Sequence, residues 1–391
     1  MYNTKLGEFC ATHGNWEELL AVEPYNILIK KEDGFVIFNY NQLSSDFSNE
    51  IVCEARGIIF REGEWECPVC HAFDKFFNYG QEFCAELDWS SITVSEKIDG
   101  SIMKLWCYND CWHLSTNGLI DAERAPIGDV RKENFAQVFL EALGWRMPGG
   151  WKDTLSAFTD FFNGLNPECT YIFELVSPYT RVVIPYKTAD IYFLGARDNK
   201  TNQQYGCDLN TAIELGVSML HRPKLYQLNA LERIIEAASM LPWDNEGYVC
   251  YDKNFNRCKI KSPKYVMAHF ARNNNVITRK HLIDIILKNE MDEFCIYASD
   301  YSDQIKYTKK LMDEFVEVMD TAGLLARNLR KLSRPEAAEV IKPFHKLVQP
   351  IMFYNLDRLM SGREYVRDWD VYKWERALEK FTEFIMQRGR E

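Results

Sequence analysis

The sequence predicts an α+β chain: an antiparallel-rich sheet domain over residues 1–270, then an all-helical domain over 271–391. Three observations carry that prediction. Short runs of β-branched and aromatic residues, many separated by turn residues, crowd the first part and stop near residue 262. Glycine and cysteine share the bias, with 17 of 20 glycines and 11 of 12 cysteines ahead of residue 271. Beyond it, apolar residues recur at helical spacing instead.

In order, the strand candidates are FVIFNY (35–40), RGIIF (56–60), SITVSEK (91–97), IMKLWCY (102–108), WHLST (112–116), TYIFELV (170–176), RVVIPY (181–186), DIYFLGA (190–196), EGYVCYD (246–252) and NRCKIKS (256–262). Helical patterns interrupt them at 133–143, at 153–162 with Gly164 as the stop, and at 228–239. In the last part Met312, Phe315, Val316 and Met319 fall at i, i+3, i+4 and i+7. A second stripe holds Val371, Trp374, Leu378, Phe381 and Ile385, widened by Ala377 and Phe384. Ser333 followed by Pro335 marks a capped helix start. Stripes of this kind form the core of a helical domain.

Bulk numbers narrow the class. A chain of 391 residues has room for two domains, and 47% hydrophobic with 26% charged residues is ordinary for a globular protein. No run of eighteen apolar residues offers a membrane span, and MYNTKLGEFCATHGNW lacks the basic-then-apolar order of a signal peptide. The expected compartment is therefore the cytoplasm, of a bacterium or a phage-infected cell, with the twelve cysteines reduced. Cys67 and Cys70 have metal-ligand spacing, but no second such pair completes a zinc set and His71 is too near to serve. A net charge of −11 argues against nucleic acid as a partner of the whole surface. One stretch departs from it: Arg257, Lys259, Lys261, Lys264, Arg272, Arg279 and Lys280 lie together with no acid among them. A solvated face and a local nucleic-acid footprint account for that stretch equally well.

Candidate chemistry begins at SEKIDGSIMKLW, where Lys97 stands between Glu96 and Ile98, ahead of an Asp99-Gly100 turn. Alone, this is a lysine beside a surface turn. A lysine nucleophile attacks only when neutral, so its site must disfavour the ammonium by desolvation and neighbouring cations. Downstream, Glu174 is set among the apolar residues of a strand, where an acid needs a hydroxyl, amide or cation partner. Glu246 opens another strand. Lys259 and Lys261, two apart, share one strand face. Like charges so placed repel unless an anion sits between them, and a phosphate is a natural one.

Taken in order, Lys97-Ile-Asp-Gly100, Tyr171-Ile-Phe-Glu174, Glu246-Gly247 and Lys259-Ile-Lys261 resemble the motifs of the covalent nucleotidyltransferases, the nucleic-acid ligases and capping enzymes. ARGIIF (55–60), DKFFNYG (74–80), RVVIPY (181–186) and KIKSPKYV (259–266) narrow the resemblance to the RNA ligase 1 family of T-even phages, over most of residues 35–270. That family carries an all-helical domain after its last motif, where DNA ligases and capping enzymes carry a β-rich one. The resemblance implies a nucleotidyltransferase (adenylation) domain in which Lys97 takes AMP from ATP and passes it to an RNA 5′-phosphate. A 3′-hydroxyl then displaces the AMP.

The roles it implies fall on named residues. Lys259 and Lys261 hold the α-phosphate, and Asp99 is needed for the chemistry. Arg56 and Lys75 contact phosphates, Glu96 belongs to the ATP-binding set, and Gly100 lets the backbone approach the nucleotide. Glu174 accepts from a ribose hydroxyl, Leu194 and Val249 wall the adenine, and Glu246 is a ligand of Mg²⁺, with Mn²⁺ as a substitute. Tyr265 lies near the reacting groups. Asn117 is a departure, since relatives place a lysine or arginine there. The stretch 123–168 is another, an insertion that either recognises substrate or is a surface elaboration, the second slightly favoured. The expected partner is RNA with 5′-phosphate and 3′-hydroxyl ends, such as a cleaved tRNA, met by a monomer. Arg327, Arg330, Lys331 and Arg334 offer a phosphate-binding face, or plain solvated helix. Rival readings are a nicked-duplex ligase, a capping-type guanylyltransferase, and a nucleotide-binding RNA sensor without turnover.

Overall fold

The computed structural model describes residues 2–127, 133–145, 150–271, 277–329 and 332–343, with 349, 352, 353 and 356. The chain divides into two compact units, Met1–His269 and Phe270–Glu391.

The first unit is built on strands β1 (Ile27–Glu32), β2 (Phe35–Tyr40), β3 (Arg56–Arg61), β4 (Phe77–Asn78), β5 (Thr93–Glu96), β6 (Ser101–Tyr108) and β7 (Cys111–Thr116). It continues with β8 (Cys169–Val176), β9 (Asp190–Asp198), β10 (Gln204–Tyr205), β11 (Leu225–Tyr226), β12 (Gly247–Tyr251) and β13 (Arg257–Lys261). These form three sheets, ordered β1-β2-β3, β10-β9-β8-β6-β7 and β11-β5-β12-β13-β4. Among the described strands only β4 and β13 pair in parallel. The class is α+β and antiparallel-rich, as the short β-former runs separated by turns predict.

The departures have local causes. ILIKKE is an edge strand with Leu28, Lys30 and Lys31 exposed, so its apolar alternation is too diluted to read. RVVIPY makes no strand. The Val183 and Ile184 N–H groups donate to the Asp99 carboxylate instead of a ladder, and Pro185 has no N–H to give. The helix over 153–162 is two short helices, Trp151–Ala157 and Thr159–Asn163. The break falls at Phe158, whose ring stacks on Trp145 at 4.3 Å.

Two covers place the functional face. Helix Phe135–Leu143, started by an Asn134/Gln137 capping box, sets Val138 and Phe139 against Met103, Tyr171, Phe173 and Phe193 of the middle sheet. Phe162 and Leu165 join the same core, so the described part of 123–168 contributes to the cover of this sheet. Helix Leu231–Met240 packs Ile234 and Ala238 on Val94, Tyr248, Cys250, Cys258 and Ile260 of the third sheet. Alternation then turns Gly247, Val249 and Tyr251, with Arg257, Lys259 and Lys261, to that sheet's other face.

The second unit is helical where described, with Arg279–Leu287, Met291–Tyr297, Ser302–Leu329 and Arg334–Ile341. Met312 and Phe315 are buried as their spacing requires. The Ser333 N–H donates to Glu336 at 2.8 Å and closes the cap ahead of Pro335. The Met319 and Arg327 side chains, Arg272, Arg330, Lys331 and the stripe from Val371 to Ile385 lie outside the described residues. Among the described residues no helix is long and apolar enough to cross a membrane.

Candidate active site

Lys97 is the first residue past β5, and its N–H donates to the Gly247 carbonyl at 2.9 Å. Its Nζ donates to Glu246 Oε2 at 2.7 Å. Lys261 Nζ stands 3.4 Å from the other oxygen, Glu246 Oε1. A carboxylate thus supplies the anion that a row of lysines needs, and it comes from the residue just before β12. Glu246 is only 5% exposed. Burial would push its carboxyl up, but Lys97, Lys261 and Lys259 outweigh it and hold the group below the usual carboxylate range. Gly247 makes the approach feasible: a Cβ there would lie 2.3 Å from the Ile260 carbonyl, and its φ of +140° is one that side chains rarely adopt.

A cavity of about 290 Å³ opens beside this cluster. Of the residues singled out in the sequence, Arg56, Glu96, Lys97, Gly100, Asn117, Glu174, Leu194 and Val249 line it. Glu174 projects from β8, opposite Ile102 and Tyr192 in the register. Burial pushes its carboxyl up to about 7, with Lys97 and Arg56 opposing the rise and Glu246 and Asp99 adding to it. Gly100 is needed for packing as well, since a Cβ would meet the Leu175 carbonyl at 2.4 Å. Arg56 donates to the Asp74 carbonyl at 3.5 Å and lies over Phe76, 5.1 Å from the ring centre. Lys259 is 5.7 Å from the same ring. Asn117 turns a buried Oδ1 without a protein partner among the described residues.

Three candidates are placed elsewhere. Lys75 donates to the hydroxyl of the lining residue Tyr40 at 3.3 Å, caged by Tyr40, Phe47 and Phe77 at 4.7, 5.0 and 5.6 Å. Asp99 is 4% exposed, and its oxygens are committed. Oδ2 accepts from Val183 and Ile184 N–H at 3.0 and 2.8 Å, and Oδ1 from the Tyr265 hydroxyl at 2.8 Å. In this arrangement it ties segments together. Tyr265, 2% exposed with its hydroxyl on Asp99, is a partner of that tie, and its ring lies 5.9 Å from Lys261 Nζ.

Other lining residues escaped the sequence reading. Phe73, Phe76, Tyr251 and Arg257 reach the cavity. Arg257 appeared only as a member of the basic stretch, although its spacing from Lys259 already puts it on the same face. Behind the lining, Arg197 Nη1 lies 3.2 Å from Asp74 Oδ1 and His71 Nε2 lies 2.8 Å from the same oxygen. That network, with His71 and Arg197 buried and Asp74 partly exposed, holds the loop carrying Phe73, Lys75 and Phe76, and nothing in the local sequence announces it.

Among the described residues no group of three or more His, Cys, Asp or Glu could hold a metal ion. Cys67 Sγ accepts from Asn3 at 3.2 Å and Cys70 is buried, so that pair has no third ligand among them. A Mg²⁺ ion that comes with phosphates needs only one or two protein carboxylates, and the ionised Glu246 fits that donor set.

Comparison with known proteins gives the chain's relatives. The model of an RNA ligase family matches residues 54–265, a span reaching from just before Arg56 to Tyr265. A candidate bifunctional polynucleotide kinase/RNA ligase of Autographa californica nuclear polyhedrosis virus is 28% identical over 286 residues. The match covers 70% of this chain and 39% of that protein, so the chain spans well under half of that relative's length. An RNA ligase of Rhodothermus phage RM378 is 24% identical over 363 residues, 79% of this chain and 80% of its own. A candidate RNA ligase of Thermovibrio ammonificans is 27% identical over 339 residues, 82% and 81% of the two chains.

Proposed function

The chain belongs to the RNA ligase family, and from that premise we propose that it is an ATP-dependent enzyme joining RNA 3′-hydroxyl and 5′-phosphate ends. One observation carries the reading. Lys97 reaches the cavity wall on a buried carboxylate that Lys261 shares, with Lys259 one pleat further along the same face.

The Lys97 nitrogen attacks the α-phosphorus of ATP, pyrophosphate leaves, and lysyl-AMP forms. An RNA 5′-phosphate oxygen then attacks the same phosphorus and Lys97 departs. Last, a 3′-hydroxyl attacks the 5′-phosphorus and AMP leaves. Each step is a displacement at phosphorus, so the protein's task is alignment and charge neutralisation. Lys259 and Lys261 steady the α-phosphate oxygens as charge builds on them. Glu174 accepts from a ribose hydroxyl, and Leu194 and Val249 enclose the base. Bound Mg²⁺ supplies Lewis-acid neutralisation of phosphate charge, with Glu246 as its protein carboxylate.

Single-stranded breaks, such as a cleaved tRNA loop, are the substrate we assign, with the helical unit recognising RNA shape and Arg334 on its surface. We assign the work to a monomer in the cytoplasm, where free cysteines stay reduced. The test is covalent labelling. With α-labelled ATP the native chain should carry label through a denaturing gel and Lys97→Ala should not. Label from GTP alone would overturn the reading in favour of a capping-type enzyme. Ligation of single-stranded RNA, nicked duplex, broken tRNA and DNA then separates substrate classes, and preference for the nick would refute the single-strand assignment.

A further inference from the structure

Arg257 is a buried cation with unspent donors. It is 9% exposed, and among the described residues no carboxylate stands within ion-pair distance of it. Its Nη1 donates to Gln204 Oε1 and to the Phe255 carbonyl at 3.2 Å. Nε and Nη2 donate to nothing among the described residues. Burying such a group is costly unless something answers its donors. The rings of Phe73, Phe255 and Tyr251, at 4.4, 5.2 and 5.6 Å, offset part of that cost. They supply no acceptor to a fork of N–H groups.

Position says what would. Arg257, Lys259 and Lys261 occupy one face of β13, opposite Tyr251, Val249 and Gly247 in the register. Neighbours on that face stand roughly 7 Å apart. With the lysines at the α-phosphate, the next step along the face leads past Val249 toward the base, and there the guanidinium lines the cavity. A guanidinium only donates. Adenine offers ring nitrogens as acceptors.

We propose that Arg257 is a base-reading residue, donating from its free N–H groups to a ring nitrogen of the adenine. The inference rests on ATP occupying this cavity, as assigned above, and the test separates the two. Calorimetry on the full chain compares ATP with 1-deaza-, 3-deaza- and 7-deaza-ATP, each lacking one acceptor. For the native chain one analogue should bind about tenfold to a hundredfold more weakly than ATP, the worth of one charged hydrogen bond. In Arg257→Met that penalty should vanish, with ATP and AMP weakened by the same factor, because the lost contact is to the base they share. Arg257→Lys, a cation of different geometry, should not restore the discrimination. Three analogues binding the native chain as ATP does would overturn the inference, and that comparison needs no variant to fold. So would a penalty that persists in Arg257→Met, or a loss confined to ATP, which would make Arg257 a phosphate contact. Failure of the native chain to bind ATP at all would overturn the underlying reading, and this inference with it.

Discussion

The two five-stranded sheets of the first unit face the same cavity and bring it opposite things. The middle sheet, β10-β9-β8-β6-β7, devotes its outer face to a large apolar core under helix Phe135–Leu143 and offers the cavity one acid, Glu174. The other, β11-β5-β12-β13-β4, has a modest core under helix Leu231–Met240 but carries Arg257, Lys259 and Lys261 on one face. Their glutamates diverge accordingly. Burial lifts Glu174 to about 7, whereas three lysines hold Glu246 below its ordinary range although Glu246 is the less exposed of the two. Company decides the protonation state of a buried acid, and here one sheet provides walls while the other provides charge.

Four substitutions would break or sharpen that contrast. The largest effect belongs to the charged sheet: Lys261→Ala should slow formation of the covalent AMP adduct about a hundredfold or more, read as initial labelling rate at saturating ATP. A rate within threefold of native would remove Lys261 from the reaction. On the walling sheet, Phe173→Ala should cost about 3–5 kcal/mol of stability by denaturant titration. Labelling per folded molecule should be unchanged, and a change would mean that this core also tunes the chemistry. Asp99→Asn leaves Tyr265, Val183 and Ile184 a weaker acceptor, so a loss of about 1.5–3 kcal/mol is expected in the same titration. An unaltered midpoint would show that the tie carries no load.

The remaining contrast is a pH dependence. Glu174 has a folded pKa of about 7, above its ordinary 4.5. Its unfolded form therefore loses a proton first as pH rises, and the native chain's stability falls through that window. Against Glu174→Gln, the native chain's melting temperature should decline between pH 5 and pH 8. Parallel curves would refute the raised value.

The sheets were legible in the sequence wherever runs of β-branched and aromatic residues were long, as in FVIFNY or IMKLWCY, and lost where charged residues cut the run short, as in ILIKKE. Ordered motifs singled out Lys97, Glu246 and Lys261, and the fold brings these three together. What stayed hidden was pairing at a distance. No local pattern tells that Asp99 receives the backbone of Val183 and Ile184, so RVVIPY reads as a strand when its donors are already taken. Nor does DKFFNYG disclose that Asp74 is gripped by Arg197. Arg257 was the opposite case, a visible spacing whose meaning needed the cavity.

The parallel pairing of β4 with β13 also bears on how the site comes into being. Phe77 and Asn78 can find Cys258 and Lys259 only after nearly the whole unit has left the ribosome. Pairings so remote in sequence form late, because the intervening chain must be ordered first. Lys97 emerges early, and both Glu246 and Lys261 emerge near the end. A nascent or truncated chain therefore carries Lys97, the proposed nucleophile, without Glu246 and Lys261, and on that proposal should form no adduct until synthesis of the unit is complete.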